Sequence, residues 1–165
     1  MTPAPLAADE NARLHALHAL NLLDTPPAER FDRVVRFAAE QLEAPIALVT
    51  LVDRERQWFK SRVGLDVAET ARDISFCGHA ILKSELFVIN DAYRDPRFAD
   101  NPLVTGEPHV RFYAGAPLST PDGHRIGTLC VIDTLPRRFG PMELAILEAL
   151  RALVNDTLAG REEEE

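Results

Sequence analysis

At 165 residues the chain has the length of one domain and can bury a sizeable core. Its formal charge is −8 at pH 7, half of it on Glu162, Glu163, Glu164 and Glu165, so it holds no attraction for phosphate backbones and argues against nucleic acid as a direct partner. No apolar run approaches the about 20 residues that cross a membrane, the start Met1-Thr2-Pro3-Ala4-Pro5 lacks a signal sequence's charge, and two distant cysteines make no disulfide framework, which together predict a reducing, cytoplasmic setting.

Residues 1–9 are rich in Pro and Ala and read as a flexible leader. Residues 10–160 read as a single domain, and residues 161–165 as an acidic tail. Leu14, Leu17, Leu20 and Leu22 recur at helical spacing over residues 11–23. Asp24-Thr25-Pro26-Pro27 breaks that helix and starts the next, with Thr25 as expected N-cap and proline suited to the first turn. Phe31, Val34, Val35, Ala38, Ala39 and Leu42 form an amphipathic stripe that ends before Pro45. The apolar run 46–52 predicts a strand buried on both faces. Residues 57–63 return as a second strand after a polar turn, and the two pair as a hairpin.

A polar loop over 65–72 leads to a short central helix at Asp73-Ile74-Ser75-Phe76-Cys77-Gly78-His79-Ala80-Ile81, where Asp73 or Ser75 can cap free N–H groups. Residues 86–89 predict a short strand, and 90–102 a long turn-rich loop of the functional kind. Residues 112–118 and 125–132 form a hairpin whose turn is set by Pro121 and Gly123. The final helix spans 141–158 and is apolar on more than one face. Leu147, Leu150, Val154 and Thr157 follow a 3-4-3 rhythm compatible with a seam against a partner helix. Strands in adjacent hairpins imply an α+β domain with a mainly antiparallel sheet. The terminal helices are expected on one face, the central helix and long loop on the other.

The order of elements, with Leu22-Leu23-Asp24-Thr25-Pro26-Pro27, Trp58-Phe59-Lys60-Ser61, the central stretch and Gly127-Thr128-Leu129-Cys130-Val131-Ile132-Asp133, resembles a GAF domain. More narrowly it resembles the bacterial GAF domains found with histidine kinases and diguanylate cyclases. The resemblance covers about residues 10–160. It implies a five- or six-stranded antiparallel sheet, a pocket between the sheet and the central helix and loop, and homodimers built from the N- and C-terminal helices. Such domains bind cyclic nucleotides, bilins, haem or small metabolites, or only dimerise, so the fold names no ligand. No output domain is attached here, so the expectation is either a separate output protein or a fragment of a longer chain.

Several residues are candidates for chemistry. Cys77 and His79 could form a thiolate–imidazole pair at a helix start. Equally, Cys77 is a small buried thiol and His79 a hydrogen-bonded helix residue, and the frequency of inert buried cysteines favours that reading. Cys77 with Cys130 could act as a redox pair, as in the GAF-type free methionine-(R)-sulfoxide reductases, but those enzymes use more cysteines than this chain has. Bilin attachment is disfavoured because Gly78 separates Cys77 from His79. No haem, metal-ligand pair or phosphate-binding glycine loop is evident, and the cyclic-nucleotide signature of the family is missing. The ligand-site candidates are Trp58, Lys60, Phe76, Cys77, His79, Asp91, Arg111 and Tyr113, which offer aromatic walls and a few fixed charges. Strand alternation puts Trp58 and Lys60 on one face, and Arg111 and Tyr113 on one face of theirs. The expected function is a non-enzymatic sensory domain; a cysteine-dependent redox enzyme and a ligand-free dimerisation module are the alternatives.

Overall fold

The computed structural model describes residues 2–160. The acidic tail at 161–165 lies outside the described residues. Helix α1 (Glu10–Ala19) turns Leu14 and Leu17 inward. Helix α2 (Glu29–Gln41) buries Phe31, Val34, Val35 and Ala38, the stripe its sequence spells out. It starts later than the sequence suggests. Ala28 is its N-cap, and the Thr25 hydroxyl instead donates to the Leu22 carbonyl. Pro26 and Pro27 stay outside the helix. Glu43, at φ 50, turns the chain out of the helix ahead of Pro45.

Strand β1 (Ile46–Val52) is buried along its whole length, and β2 (Arg56–Val63) folds back on it. The register shifts between Val49 and Thr50, so β2 carries one extra residue there. The loop after Gly64 includes a short strand, β3 (Glu69–Ala71), missing from the sequence reading. A 3-10 turn at Arg72–Ile74 leads into α3 (Cys77–Ala80). Ser75 acts at its start, where its Oγ accepts the Gly78 N–H at 3.0 Å. Strand β4 (Phe87–Ile89) and the one-turn helix α4 (Pro102–Thr105) bracket the long loop. Asn101 caps α4 by accepting from the Leu103 N–H, and its Nδ2 donates to the Ile74 carbonyl, which ties this loop to the α3 segment.

Strands β5 (Phe112–Ser119) and β6 (Arg125–Asp133) form the expected hairpin. Its turn needs the left-handed conformation at Gly123, φ 89. Helix α5 (Pro141–Leu158) starts with the Glu143 carboxylate accepting the Gly140 N–H at 2.7 Å. The sheet runs β3-β2-β1-β6-β5-β4, and every pair is antiparallel. The fold is α+β, as expected.

Alternation along the strands makes two separate cores. Ala47, Val49 and Leu51 of β1, with Leu129 and Val131 of β6, meet α1, α2 and α5. Ile46, Leu48 and Val52, with Cys130 and Ile132, meet α3 and the long loop. The proposed seam on α5 belongs to the first core: Leu147, Leu150 and Val154 are buried against this chain's own sheet. The large apolar side chains that α5 leaves exposed are Met142 and Leu153. The Thr2 N–H donates to the Arg97 carbonyl at 3.1 Å, and the Thr2 carbonyl meets His79 Nε2 at 2.9 Å.

Candidate functional site

A cavity of about 510 Å³ opens between the second face of the sheet and its cover. The size is ordinary for a small-molecule site. Its floor is built by alternate residues of neighbouring strands: Ile46 and Leu48, Gln57 and Phe59, Tyr113, and Cys130 with Ile132. Phe76 and Cys77 come from the start of α3. Leu103 and Val110 close the side near α4, and residues 64–67 with Glu107 and Pro108 form the rim.

The cover above this floor is short, and this is why space remains. The four residues of α3 cannot span three central strands, whereas α2 and α5 run 13 and 18 residues across the other face. Aromatic stacking fixes what cover there is. Phe76 lies on Phe98 with centroids 4.2 Å apart and planes at 12°, and Tyr113 stands 5.3 Å from Phe76.

A polar cluster sits in the floor. Cys77 Sγ is 3.1 Å from the Tyr113 hydroxyl and 3.1 Å from Thr128 Oγ1. Thr128 Oγ1 in turn meets Thr50 Oγ1 at 3.0 Å. Tyr113 reaches the thiol because residue 115 is glycine: a Cβ there would stand 2.4 Å from its hydroxyl. Burial resists ionisation of both thiols. The hydrogen bonds from Cys130, Thr128, Thr50 and Tyr113 nevertheless bring Cys77 below its ordinary value. Burial and the adjacent Cys77 push Cys130 well above. Burial, then Cys77, also raises the Tyr113 phenol.

The candidate residues divide. Phe76, Cys77 and Tyr113 line the cavity. Trp58 and Lys60 do share a face, but it is the opposite one. Trp58 packs into the core under the long helices. Lys60 Nζ donates to Thr25 Oγ1 at 2.7 Å and to the Pro26 carbonyl at 2.6 Å, ahead of α2. Burial lowers its pKa. Both residues border a depression of about 420 Å³ beside α2. His79 does not line the cavity; it stands edge-on to Phe98 at 4.8 Å and is bonded to Thr2, and burial lowers its pKa. Asp91 and Arg111 form a two-pronged ion pair at 2.8 and 3.0 Å, with Arg111 lying 4.1 Å over the Tyr93 ring. Neither lines the cavity.

The sequence reading missed Gln57, Phe59, Leu48, Ile132 and the acidic rim residues Asp66 and Glu107, and weighed Cys130 only for redox chemistry. One signal was present: Thr50 and Thr128 are lone hydroxyls in apolar strands, in step with Leu48 and Cys130. Among the described residues no group of three or more His, Cys, Asp or Glu could hold a metal ion. Among the same residues no helix is long and apolar enough to cross a membrane.

The profile of the GAF domain family matches residues 26–158. A cyclic di-GMP phosphodiesterase from Pseudomonas aeruginosa is 45% identical over 157 residues. That alignment takes in 93% of this chain but 26% of the phosphodiesterase, so the chain spans about a quarter of that relative. Among solved structures, the GAF domain of an Acinetobacter phosphoenolpyruvate-protein phosphotransferase superposes with a TM-score of 0.63 at 18% identity, covering 90% of this chain and 93% of that one. A type II free methionine-R-sulfoxide reductase from Thermoplasma acidophilum gives 0.65 at 14% identity, covering 87% and 94%. At these identities the structural matches speak for the fold alone.

Proposed function

We propose a sensory or regulatory role for this chain, which belongs to the GAF domain family. A small molecule binds in the cavity above the sheet, and its presence is felt by the helices on the far side. The observation that carries this reading is the cavity itself. One face of the sheet is filled by long helices, while the other keeps about 510 Å³ open under a short cover.

A physical link joins the two faces. Arg72, at the base of the cover, bonds Glu10 of α1 at 2.6 and 3.1 Å. Glu10 also bonds Arg13 at 3.1 and 3.0 Å, and Arg13 Nη1 donates to the Val52 carbonyl at the end of β1 at 2.6 Å. A ligand that prefers one position of the cover biases this linkage and so the position of α1. The readout is a homodimer through the helical layer, where Phe37 of α2 and Met142 and Leu153 of α5 lie exposed. One relative, 45% identical over 157 residues, is named a cyclic di-GMP phosphodiesterase; control of an output of that class is the role proposed here.

A thermal-shift panel of metabolites of both charge signs tests sensing. At least one compound should raise Tm in the wild type and fail to do so in Leu48→Trp, which fills the cavity. A panel with no such compound would remove the sensing role. A monomeric mass by light scattering would remove the dimer. A second reading, thiol redox chemistry, draws on Cys77 and Cys130 sharing the cavity wall. Cys77→Ser separates the two, since binding survives it and turnover does not.

A further inference from the structure

We propose that the cavity selects a small, mainly apolar, neutral or cationic molecule bearing an N–H donor, of the aromatic or heterocyclic amine class. This rests on the reading of the cavity as a ligand site and adds the chemistry of what it takes.

Charge is the first argument. Among the residues that line the cavity the only carboxylates are Asp66 and Glu107, and there is no lysine, arginine or histidine. Both carboxylates are exposed, at the rim. An anion would pass two like charges and find no counter-charge inside, which costs it affinity and slows its approach. A cation is drawn to the same rim. The wall behind it is apolar and aromatic, with Phe59, Phe76 and Tyr113 providing ring surfaces for a planar group.

Gln57 is the second, independent argument. It stands in the cavity wall and is 5% exposed. Its Nε2 donates to Thr70 Oγ1 at 2.7 Å, which holds one end of the amide. Its Oε1 is buried with no hydrogen-bond partner among the described residues, and no other buried side-chain oxygen or nitrogen there lacks one. A buried acceptor without a partner is costly, and a bound N–H donor towards which the Gln57 amide turns from its shielded position recovers that cost. Acceptor and acidic rim ask for the same thing: an N–H group, neutral or protonated.

Calorimetric titration of the full chain with four matched probes tests this. Indole carries the donor; 1-methylindole has nearly the same shape without it; tryptamine adds a positive charge and indole-3-acetate a negative one. Indole should bind about tenfold more tightly than 1-methylindole, and tryptamine more tightly than indole-3-acetate. Gln57→Met should bring the indole to 1-methylindole ratio to about one, and Asp66→Asn with Glu107→Gln should narrow the charge preference. The probe pairs test both contacts in the unmodified chain, so the outcome stands even where a variant fails to fold. Equal affinity for indole and 1-methylindole overturns the donor contact. Tighter binding of indole-3-acetate overturns the charge preference, and no binding of any probe at its solubility limit overturns the ligand class. An anion from the metabolite panel that binds the wild type and not Leu48→Trp overturns the class while leaving the cavity as a ligand site. A panel in which nothing behaves that way removes the site itself.

Discussion

The two faces of the sheet are made by the same strands, yet one is packed under long helices, with a depression only beside α2, and the other keeps a cavity under a short cover. Ala47, Val49 and Leu51 meet helices long enough to cover them; Ile46, Leu48 and Cys130 meet one turn of helix and a loop. Strand composition alone does not separate the faces, since both are mainly apolar. The length of the covering element does. A short cover leaves a cavity and needs other anchors, here the Phe76–Phe98 stack, the Asn101 cap and the Arg72–Glu10 pair.

The largest test of this contrast is truncation on the solid face. Phe31→Ala removes a ring that is 1% exposed under α2 and should cost about 4 kcal/mol in urea unfolding, because the packed layer cannot collapse around the void. Next is the link between faces. Desolvation alone would raise the Glu10 carboxyl, but the hydrogen bonds and charges of Arg72 and Arg13 outweigh it and hold the pKa at about 2. A depressed folded-state pKa gives stability that is fully present above the unfolded value of 4.5 and lost as pH falls through about 2. Glu10→Gln should therefore cost about 3 kcal/mol at pH 7. The gap from wild type should narrow as the pH drops from 4.5 towards 2. A constant gap would mean that Glu10 acts by packing alone.

Added bulk sharpens the contrast further. Ala114→Leu, in the solid core, should cost about 2 kcal/mol, whereas Leu48→Trp, beside the cavity, should cost about 1 kcal/mol or less and abolish ligand-induced Tm shifts. Equal losses would mean that the hollow face is as rigid as the other. The smallest effect is at the floor. Tyr113→Phe deletes the hydroxyl 3.1 Å from Cys77 Sγ and should cost about 1 kcal/mol. It should also move the pH midpoint of Cys77 alkylation upward, since a donor to the thiolate is gone.

Much of the fold was legible because it is local. The continuous apolar run at 46–52, the Pro121 to Gly123 turn and the α2 stripe each specify their element within a few residues, and the observed β1, β5–β6 hairpin and α2 follow them. The site was less legible. Phe76, Cys77 and Tyr113 reach the cavity, but Trp58, Lys60, His79, Asp91 and Arg111 do not line it. Alternation tells which residues of β2 share a face and not which face that is; Gln57 and Phe59 could be assigned only once β2 was laid beside β1. The seam on α5 failed for a similar reason. A 3-4-3 rhythm is the same whether the partner is a second helix or the chain's own sheet.

By itself, then, the chain's order of residues determined most of the elements, though not β3 or the start of α2, their pairing into hairpins and membership of a family, since each is written in short-range spacing. Only the tertiary structure decided which side of each strand meets long helices and which meets the short cover. It also decided that Gln57 and two carboxylates, far apart along the chain, border one cavity. Those facts depend on the bulge in β2 and on sheet order, where residues distant in sequence become neighbours.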